Sequence, residues 1–313
     1  MTVLVAVKGW DPGHWVDALR ARAPGRDVVV APDVPDPAAV RYALVWKPEP
    51  GRLAGYPNLE VIFSLGAGVD HLTSDPALPA LPIVRIVDPD LTMRMTEWVV
   101  LQVLLHHRKQ RLYDRLQAER RWAPQDQVSA RGLRVGIMGL GVLGLDAARA
   151  LAGLGFPVAG WSRTPRTVPG LETFHGRDGL PAFLARTDLL VVLLPLTADT
   201  RGLIDAALID GLAKDGPLGG PVLVNAGRGG LQDEAAIDAA LRDGRLAAAS
   251  LDVFAVEPLP EASPLWGAPN LTITPHVAAE SDPVALSAYV MGQIEAYERG
   301  EGLANLVDPG LGY

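Results

Sequence analysis

Short apolar runs of strand length recur along the chain, separated by stretches with helical spacing of apolar residues. In the first third they are VLVAV (3–7), VVVAP (28–32), YALVWK (42–47), VIFSLG (61–66) and IVRIVD (83–88). Further on they are RVGIMG (134–139), VAGWS (158–162), LLVVLLP (189–195), VLVNAG (222–227), ASLDVF (249–254) and LTITP (271–275). A run that is apolar at every position is a strand covered on both faces. In alternation with helices, that means a parallel sheet between helical layers. The runs fall into two groups, so the pattern predicts an α/β chain of two doubly wound parallel-sheet domains. Between the groups, residues 95–122 carry Met95, Trp98, Leu101, Leu105 and Leu112 at roughly helical spacing, with Pro124 as the stop. The spacing predicts one helix, longer than the roughly 8–20 residues usual in globular proteins. It reads as a brace between domains or a subunit contact, or equally as a long surface helix of one domain. PVALSAYVMGQIEAYE (283–298) predicts another helix, one that can return the chain to the first domain. There is no internal repeat and no low-complexity tract.

The run at 134–139 opens into Gly139-Leu140-Gly141-Val142-Leu143-Gly144. Each glycine has a physical reason if a dinucleotide binds here. Gly139 permits the tight turn, Gly141 lets a pyrophosphate approach the backbone, and Gly144 lets the helix pack closely on the strand. The helix follows with Leu145, Ala148 and Leu151 on one stripe and Gly155 at its end. Its N-terminus offers unpaired N–H groups and a positive dipole end to the phosphates. The plainer alternative is a tight turn that binds nothing.

The next run ends in AGWSRTPR (159–166), about 20 residues on, where an NAD site places an acid for the ribose hydroxyls. Here Ser162 and Arg163 stand instead, with Thr164 and Arg166 behind. A guanidinium pairs with a phosphate dianion and a hydroxyl can donate to it. The site therefore reads as built for NADPH, with NADH the alternative. Arg163 pointing into solvent or stacking on adenine is the competing explanation.

Composition narrows the remaining classes. The chain has 313 residues and 49% hydrophobic content, enough for two ordinary domains. A net charge of −8 and a pI near 5.3 argue against nucleic acid as a partner. The arginines at 108–121 are interspersed with Leu, Tyr and acids, as on a solvated helix face. The absence of cysteine excludes disulfides, thiol catalysis and Cys-ligated zinc. His106 and His107 are neighbours on a helix and point apart, so no metal site is expected. The longest apolar runs, such as LLVVLLPL (189–196), are too short to cross a bilayer. The start MTVLVAVKGW has no basic region and no cleavage site. A soluble cytoplasmic protein is expected, with no membrane partner.

Three charged residues follow apolar runs: Arg228 in LVNAGRGG, Glu257 in SLDVFAVEPLP and His276 in ITPHVAAE. Residues just past the strand ends of a parallel sheet line its ligand crevice. A carbonyl that takes hydride on carbon needs a proton on oxygen, which His276 can supply from an ordinary pKa of about 6.5. A carboxylate such as Glu257 favours the imidazolium and keeps that acid loaded. Arg228 can hold a substrate carboxylate and polarise the adjacent carbonyl. Taken singly, each has a plainer explanation: a structural histidine, and two surface charges.

The chain resembles the D-isomer-specific 2-hydroxyacid dehydrogenases. The resemblance rests on GLGVLG, LLPLTADTRGLI (193–204), VNAGRGG, SLDVFAVEPLP and PLWGAPNLTITPHVAA (264–279), in the family's order, and extends to the ending LVDPGLGY. It implies that Arg228, Glu257 and His276 are the catalytic residues. Asp252 would hold the nicotinamide carboxamide, and Leu194 and Pro195 would border the cofactor. It further implies a Rossmann cofactor domain (99–281) inserted in a flavodoxin-like substrate domain (1–98 with 282–313), a cleft between them, and a homodimer. SLGAGVDHL (64–72) matches the family's substrate loop, whose backbone at Ala67, Gly68 and Val69 would bind the substrate carboxylate; an ordinary turn is the alternative. VWKP (45–48), GAGVDHL and WSR resemble the bacterial glyoxylate/hydroxypyruvate reductases of the A type, which would put Trp46 and Lys47 near the substrate. The extra regulatory domain frequent in phosphoglycerate dehydrogenases is not expected here. The expected reaction is NADPH-dependent reduction of small 2-oxo acids, glyoxylate and hydroxypyruvate, to D-2-hydroxy acids. A reductase for bulkier 2-oxo acids is an alternative within the class. A nucleotide-dependent sensor or corepressor is the alternative from another class. It would not need Arg228, Glu257 and His276, and the chain lacks a basic or disordered arm.

Overall fold

The structure is a computed structural model that describes all residues except Trp10, Pro309 and Tyr313; those positions of MTVLVAVKGW and LVDPGLGY lie outside the described residues. The chain divides into two compact units. One is Met1–Leu91 with Ser281–Tyr313, and the other, Thr92–Glu280, is inserted between those segments.

The first unit carries β1 (Thr2–Val7), β2 (Asp27–Val30), β3 (Val40–Trp46), β4 (Val61–Ser64) and β5 (Ile83–Val84). They form a parallel sheet in the order β2-β1-β3-β4-β5, the flavodoxin-like order. Alternate residues of each strand feed opposite faces. Val3, Val5, Tyr42, Leu44 and Phe63 pack against the helices Gly13–Arg22 and Pro283–Glu298. Leu4, Ala6, Ala43, Val45 and Ile62 pack on the other face with Leu53, Tyr56 and Leu72. The predicted helix 283–298 is present, with Asp282 accepting from the Val284 N–H at 3.0 Å and Pro283 at its first position.

The second unit carries β6 (Val135–Met138), β7 (Val158–Ser162), β8 (Glu172–His175), β9 (Leu189–Val192), β10 (Val222–Asn225), β11 (Ala248–Leu251) and β12 (Leu271–Ile273). All pair in parallel in the order β12-β11-β10-β9-β6-β7-β8. The strand order reverses between β6 and β9, which makes the crevice at their carboxyl ends the ligand position of a doubly wound sheet. β8 has no apolar run; ETFH is an edge strand with partly exposed residues, and the pattern does not announce it. Several runs continue past their strands. LLVVLLP leaves the sheet after Val192 and ASLDVF after Leu251, so Leu193–Pro195 and Asp252–Phe254 are loop.

The single helix expected over 95–122 is two helices, Pro89–His107 and Gln110–Ala118, with 119–122 outside both. Lys109 breaks them in a left-handed conformation, φ 55°. The buried stripe of the first helix, Met95, Trp98, Val99, Val103 and His106, meets only Arg108, Lys109 and Gln110 beyond His107. Continuing straight would bury charge, so the chain turns and Leu116 becomes the buried residue of the second helix.

Buried polar groups tie the first of these helices to the sheet. Ser250 Oγ of β11 donates to Gln102 Oε1 at 2.8 Å, so His106 Nε2–H donates to Ser250 Oγ, also at 2.8 Å. Burial pulls the His106 imidazole down to about 4, with the nearby Arg111 charge adding to it. A folded value below the unfolded one gives stability that is present above pH about 6.5 and lost as pH falls toward about 4, because the unfolded histidine takes the proton first. The loss should reach about 3 kcal/mol. Denaturant melts of wild type and His106→Gln between pH 7 and 4 check it: wild type should lose this increment and the variant should not.

Candidate active site

β10, β11 and β12 lie side by side with Asn225, Leu251 and Ile273 in register. The loops that follow therefore leave the sheet together. They bring Glu257 and His276 into contact: His276 Nδ1 lies 2.9 and 3.0 Å from the two Glu257 carboxylate oxygens. A carboxylate only accepts, so Nδ1–H donates, which fixes the orientation of the ring. Glu257 Oε1 also accepts from the Phe254 N–H at 3.1 Å, which sets the carboxylate. His276 has a left-handed backbone, φ 57°, stabilised by its N–H donating to Asp252 O at 2.8 Å. Such strain in a non-glycine residue costs on the order of 1 kcal/mol and tends to sit at functional positions.

Asp252 is 1% exposed and braces this turn. Its Oδ1 accepts from Thr274 Oγ1 at 2.6 Å and Val277 N–H at 3.0 Å, and its Oδ2 accepts from Ala278 N–H at 3.0 Å. Burial pushes the Asp252 carboxyl up, against the pull of these donors.

Arg228 stands on the adjoining loop, with Nη1 donating to Gly227 O at 2.9 Å. Two buried amides hold that loop. Asn225 Nδ2 donates to Gln232 Oε1 at 2.8 Å and to Arg228 O at 3.3 Å, and Gln232 Nε2 donates to Val253 O at 2.9 Å. The loops of Arg228 and Glu257 approach so closely that a Cβ on Gly229 would lie 1.9 Å from the Phe254 carbonyl carbon.

The glycine turn behaves as its spacing predicts. Gly139 has φ 109°, and a Cβ there would lie 2.7 Å from Leu193 O. A Cβ on Gly144 would lie 1.8 Å from Gly139 O, while one on Gly141 would meet nothing within 4 Å. The helix Val142–Gly153 starts with no side-chain cap and no acid in its first turn. Open space at Gly141 beside uncapped N–H groups at Val142, Leu143 and Gly144 fits a pyrophosphate. β7 pairs with β6, Met138 opposite Trp161, so Ser162 and Arg163 lie beside this turn. Ser162 Oγ donates to Thr164 O at 2.8 Å, and Arg163 lies 4.0 Å from the Asp199 carboxylate. The Arg166 guanidinium donates to Leu140 O, inside the glycine turn itself. On the other side of β6, the Leu194 side chain is buried in the core and Pro195 O accepts from Thr200 Oγ1 at 2.8 Å.

In the first unit, Ala67, Gly68 and Val69 form the turn after β4. Ser64, 0% exposed, shapes it by donating to Gly66 O at 3.0 Å. The N–H groups of Ala67, Gly68 and Val69 donate to no acceptor among the described residues, an arrangement suited to an anion. Trp46 closes β3 and is 8% exposed; Lys47 follows it, exposed, with φ 46°.

Sequence reasoning did not single out Ser64, Asn225, Gln232 or Thr274. A signal exists for two of them: VIFS and VLVN are apolar strands closed by one polar residue, and both are wholly buried. No group of three or more His, Cys, Asp or Glu among the described residues could hold a metal, and no helix of theirs is long and apolar enough to cross a membrane.

Residues 100–278 match the family model described as D-isomer specific 2-hydroxyacid dehydrogenase, NAD binding domain. The chain is 39% identical over 310 residues to the glyoxylate/hydroxypyruvate reductase A of Enterobacter sp. (strain 638), covering 97% of each. Among solved structures it is similar to an NADPH-dependent glyoxylate/hydroxypyruvate reductase of Sinorhizobium meliloti in complex with NADP and sulfate, with TM-score 0.95, 49% identity, and 100% of this chain and 99% of that one covered. It is also similar to a probable 2-hydroxyacid dehydrogenase of Rhizobium etli CFN 42 in complex with NADP, HEPES and L(+)-tartaric acid. There the TM-score is 0.93, the identity 46%, and the coverage 100% and 99%.

Proposed function

The chain belongs to the D-isomer-specific 2-hydroxyacid dehydrogenases, and on that premise we propose that it reduces small 2-oxo acids, glyoxylate and hydroxypyruvate, to D-2-hydroxy acids with NADPH. The observation that carries the reading is the contact of Glu257 with His276 Nδ1, which fixes the ring and favours its imidazolium. The reduced nicotinamide, when bound, supplies the hydride. His276 as imidazolium holds one proton toward Glu257 and gives the other, from Nε2, to the oxygen that becomes the alcohol. Arg228 polarises the carbonyl and binds charge that develops on its oxygen. The amides of Ala67, Gly68 and Val69 bind the carboxylate, with Trp46 and Lys47 as further substrate contacts. Asp252 Oδ2, with one donor, keeps room to accept from the nicotinamide carboxamide. Gly139, Gly141, Val142, Leu143 and Gly144 hold the pyrophosphate, bordered by Leu194 and Pro195.

Initial rates with NADPH and NADH, each against glyoxylate, hydroxypyruvate, pyruvate and phenylpyruvate, test this. Fast NADPH-dependent turnover of the first two supports it. NADPH binding without turnover of any would move the reading to a nucleotide-dependent sensor.

Ser162, Arg163 and Arg166 take the 2′-phosphate. Arg163→Ala should raise the KM for NADPH by roughly 10- to 100-fold, a charge-assisted hydrogen bond's worth, and change that for NADH little. Equal effects on both cofactors would remove the phosphate contact.

The protein acts in the cytoplasm as a homodimer. Met93, Leu101 and Trp122 are 53%, 57% and 99% exposed, apolar surface on and just beyond the helical segment 89–118 that a second copy would cover. Sedimentation should give twice the chain mass, and Trp122→Ala should weaken the association.

A further inference from the structure

Three groups converge on the Trp46 indole. The ring lies against the turn after β4, where a Cβ on Gly66 would sit 2.2 Å from Trp46 Cζ3 and 2.9 Å from Cε3. His71, in the short helix Asp70–Thr73 that follows the turn, brings its imidazole to 5.0 Å from the indole centroid at 56°. Lys47 takes a left-handed backbone, φ 46°, and carries its ammonium to 5.5 Å from the Trp46 ring centroid. A tryptophan needed only for the core, where Trp46 packs among the β1, β3 and β4 side chains, requires neither an ammonium over its ring nor a strained neighbour. The amides of Ala67, Gly68 and Val69 begin one residue past Gly66, so a carboxylate held there and the indole with its ammonium belong to the same turn.

We propose that His71 is a positioning residue. It holds the Trp46 ring, and through that ring the Lys47 ammonium, so that Lys47 reads the substituent on the third carbon of a 2-oxo acid and favours a second carboxylate or a hydroxyl there over hydrogen. The inference rests on the reading that the protein reduces 2-oxo acids. The chemistry follows from preorganisation. A free lysine loses most of its rotamer freedom when it meets a ligand, whereas one already drawn to a ring face loses less. A carboxylate or hydroxyl then gains a charge-assisted hydrogen bond, and the bare methyl of pyruvate offers the ammonium no acceptor. The imidazole meets the indole at a tilt from the helix that follows the turn, which keeps the ring where Lys47 can use it.

The test compares kcat/KM for four substrates that differ only past the carbonyl, with NADPH saturating. Glyoxylate has no third carbon, pyruvate a methyl, hydroxypyruvate a hydroxymethyl, and oxaloacetate a second carboxylate. Each rate is taken as a ratio to glyoxylate on the same enzyme. In wild type the hydroxypyruvate and oxaloacetate ratios should exceed the pyruvate ratio by about tenfold or more, the worth of one charge-assisted hydrogen bond. His71→Ala and Lys47→Met should each bring the three ratios close together, chiefly through KM. His71→Phe, which keeps a ring on the indole, should restore the wild-type spread. An unchanged spread in His71→Ala overturns the proposal, and so does an equal fall on glyoxylate and the larger acids, which marks a merely structural residue. Lys47 is exposed, so Lys47→Met reports on the ammonium even where a His71 variant folds poorly. Wild type that turns over glyoxylate without preferring hydroxypyruvate or oxaloacetate to pyruvate sinks this inference and leaves the reductase reading standing. Wild type that turns over none of the four sinks both.

Discussion

Replacing His276 with alanine should lower kcat by about 10²–10⁴-fold, the range for loss of a positioned general acid, with the Kd for NADPH nearly unchanged. The two effects separate because His276 lies on the loop after β12, while the glycine turn proposed to hold the cofactor follows β6, four strands away in the sheet. Glu257→Gln should give a smaller loss. An amide can still accept from Nδ1–H, but it no longer stabilises the imidazolium. Stopped-flow single turnovers with pre-bound NADPH measure the chemical step, and fluorescence titration measures the cofactor. His276→Ala turning over at near wild-type rate would remove the proton-donor assignment. A large loss of NADPH affinity would mean that the variant had damaged the site as a whole. The left-handed backbone at His276 makes Asn the informative second variant, because Asn tolerates that conformation better than Ala. Asn cannot serve as the acid, so it should be as slow as Ala with the loop intact.

Arg228→Ala should reduce kcat/KM by about 10²–10³-fold, as expected when a donor to the developing charge is removed, with both KM and kcat affected. Arg228→Lys should recover only part of this, because an ammonium cannot reproduce the planar fork that grips a carboxylate and a carbonyl oxygen together. The loop should survive either change. Its position depends on Asn225, Gln232 and the close approach at Gly229, none of which uses the guanidinium. Unchanged KM and kcat in Arg228→Ala would place Arg228 outside the site, while a drop in thermal stability equal to that of Asn225→Ala would make its role structural.

Much of this site was legible before any coordinates. The glycine spacing carries a physical demand at each position, and the structure meets it: a side chain on Gly139 or Gly144 would collide with backbone, and one on Gly141 would not. Ser162 and Arg163 could be put forward as cofactor contacts because strand length puts them at the end of β7, next to β6, and Arg166 follows close behind. Arg228, Glu257 and His276 were readable because each follows an apolar strand. Their mutual geometry was not. Nothing in the spacing shows that Glu257, five residues past Asp252, folds back to accept from Nδ1 of a histidine 19 positions on. The break at Lys109 was hidden for a related reason. Helical spacing of leucines continues across it, and only the lack of a surface to bury Arg108 and Gln110 ends the helix.

What the sequence determined by itself is what depends on local periodicity and steric demand: two sets of parallel strands, a tight glycine turn that opens a helix, and the residue types a hydride-coupled proton transfer needs. Tertiary structure decided what depends on which strands become neighbours. The register of β10, β11 and β12 brings Asn225, Asp252 and His276 to one end of their sheet, and it turns Thr274 and Gln232 from unremarked polar residues into supports of the loops that follow. A buried hydrogen bond forms between residues far apart in sequence, and its partner is chosen by the packing of the whole sheet.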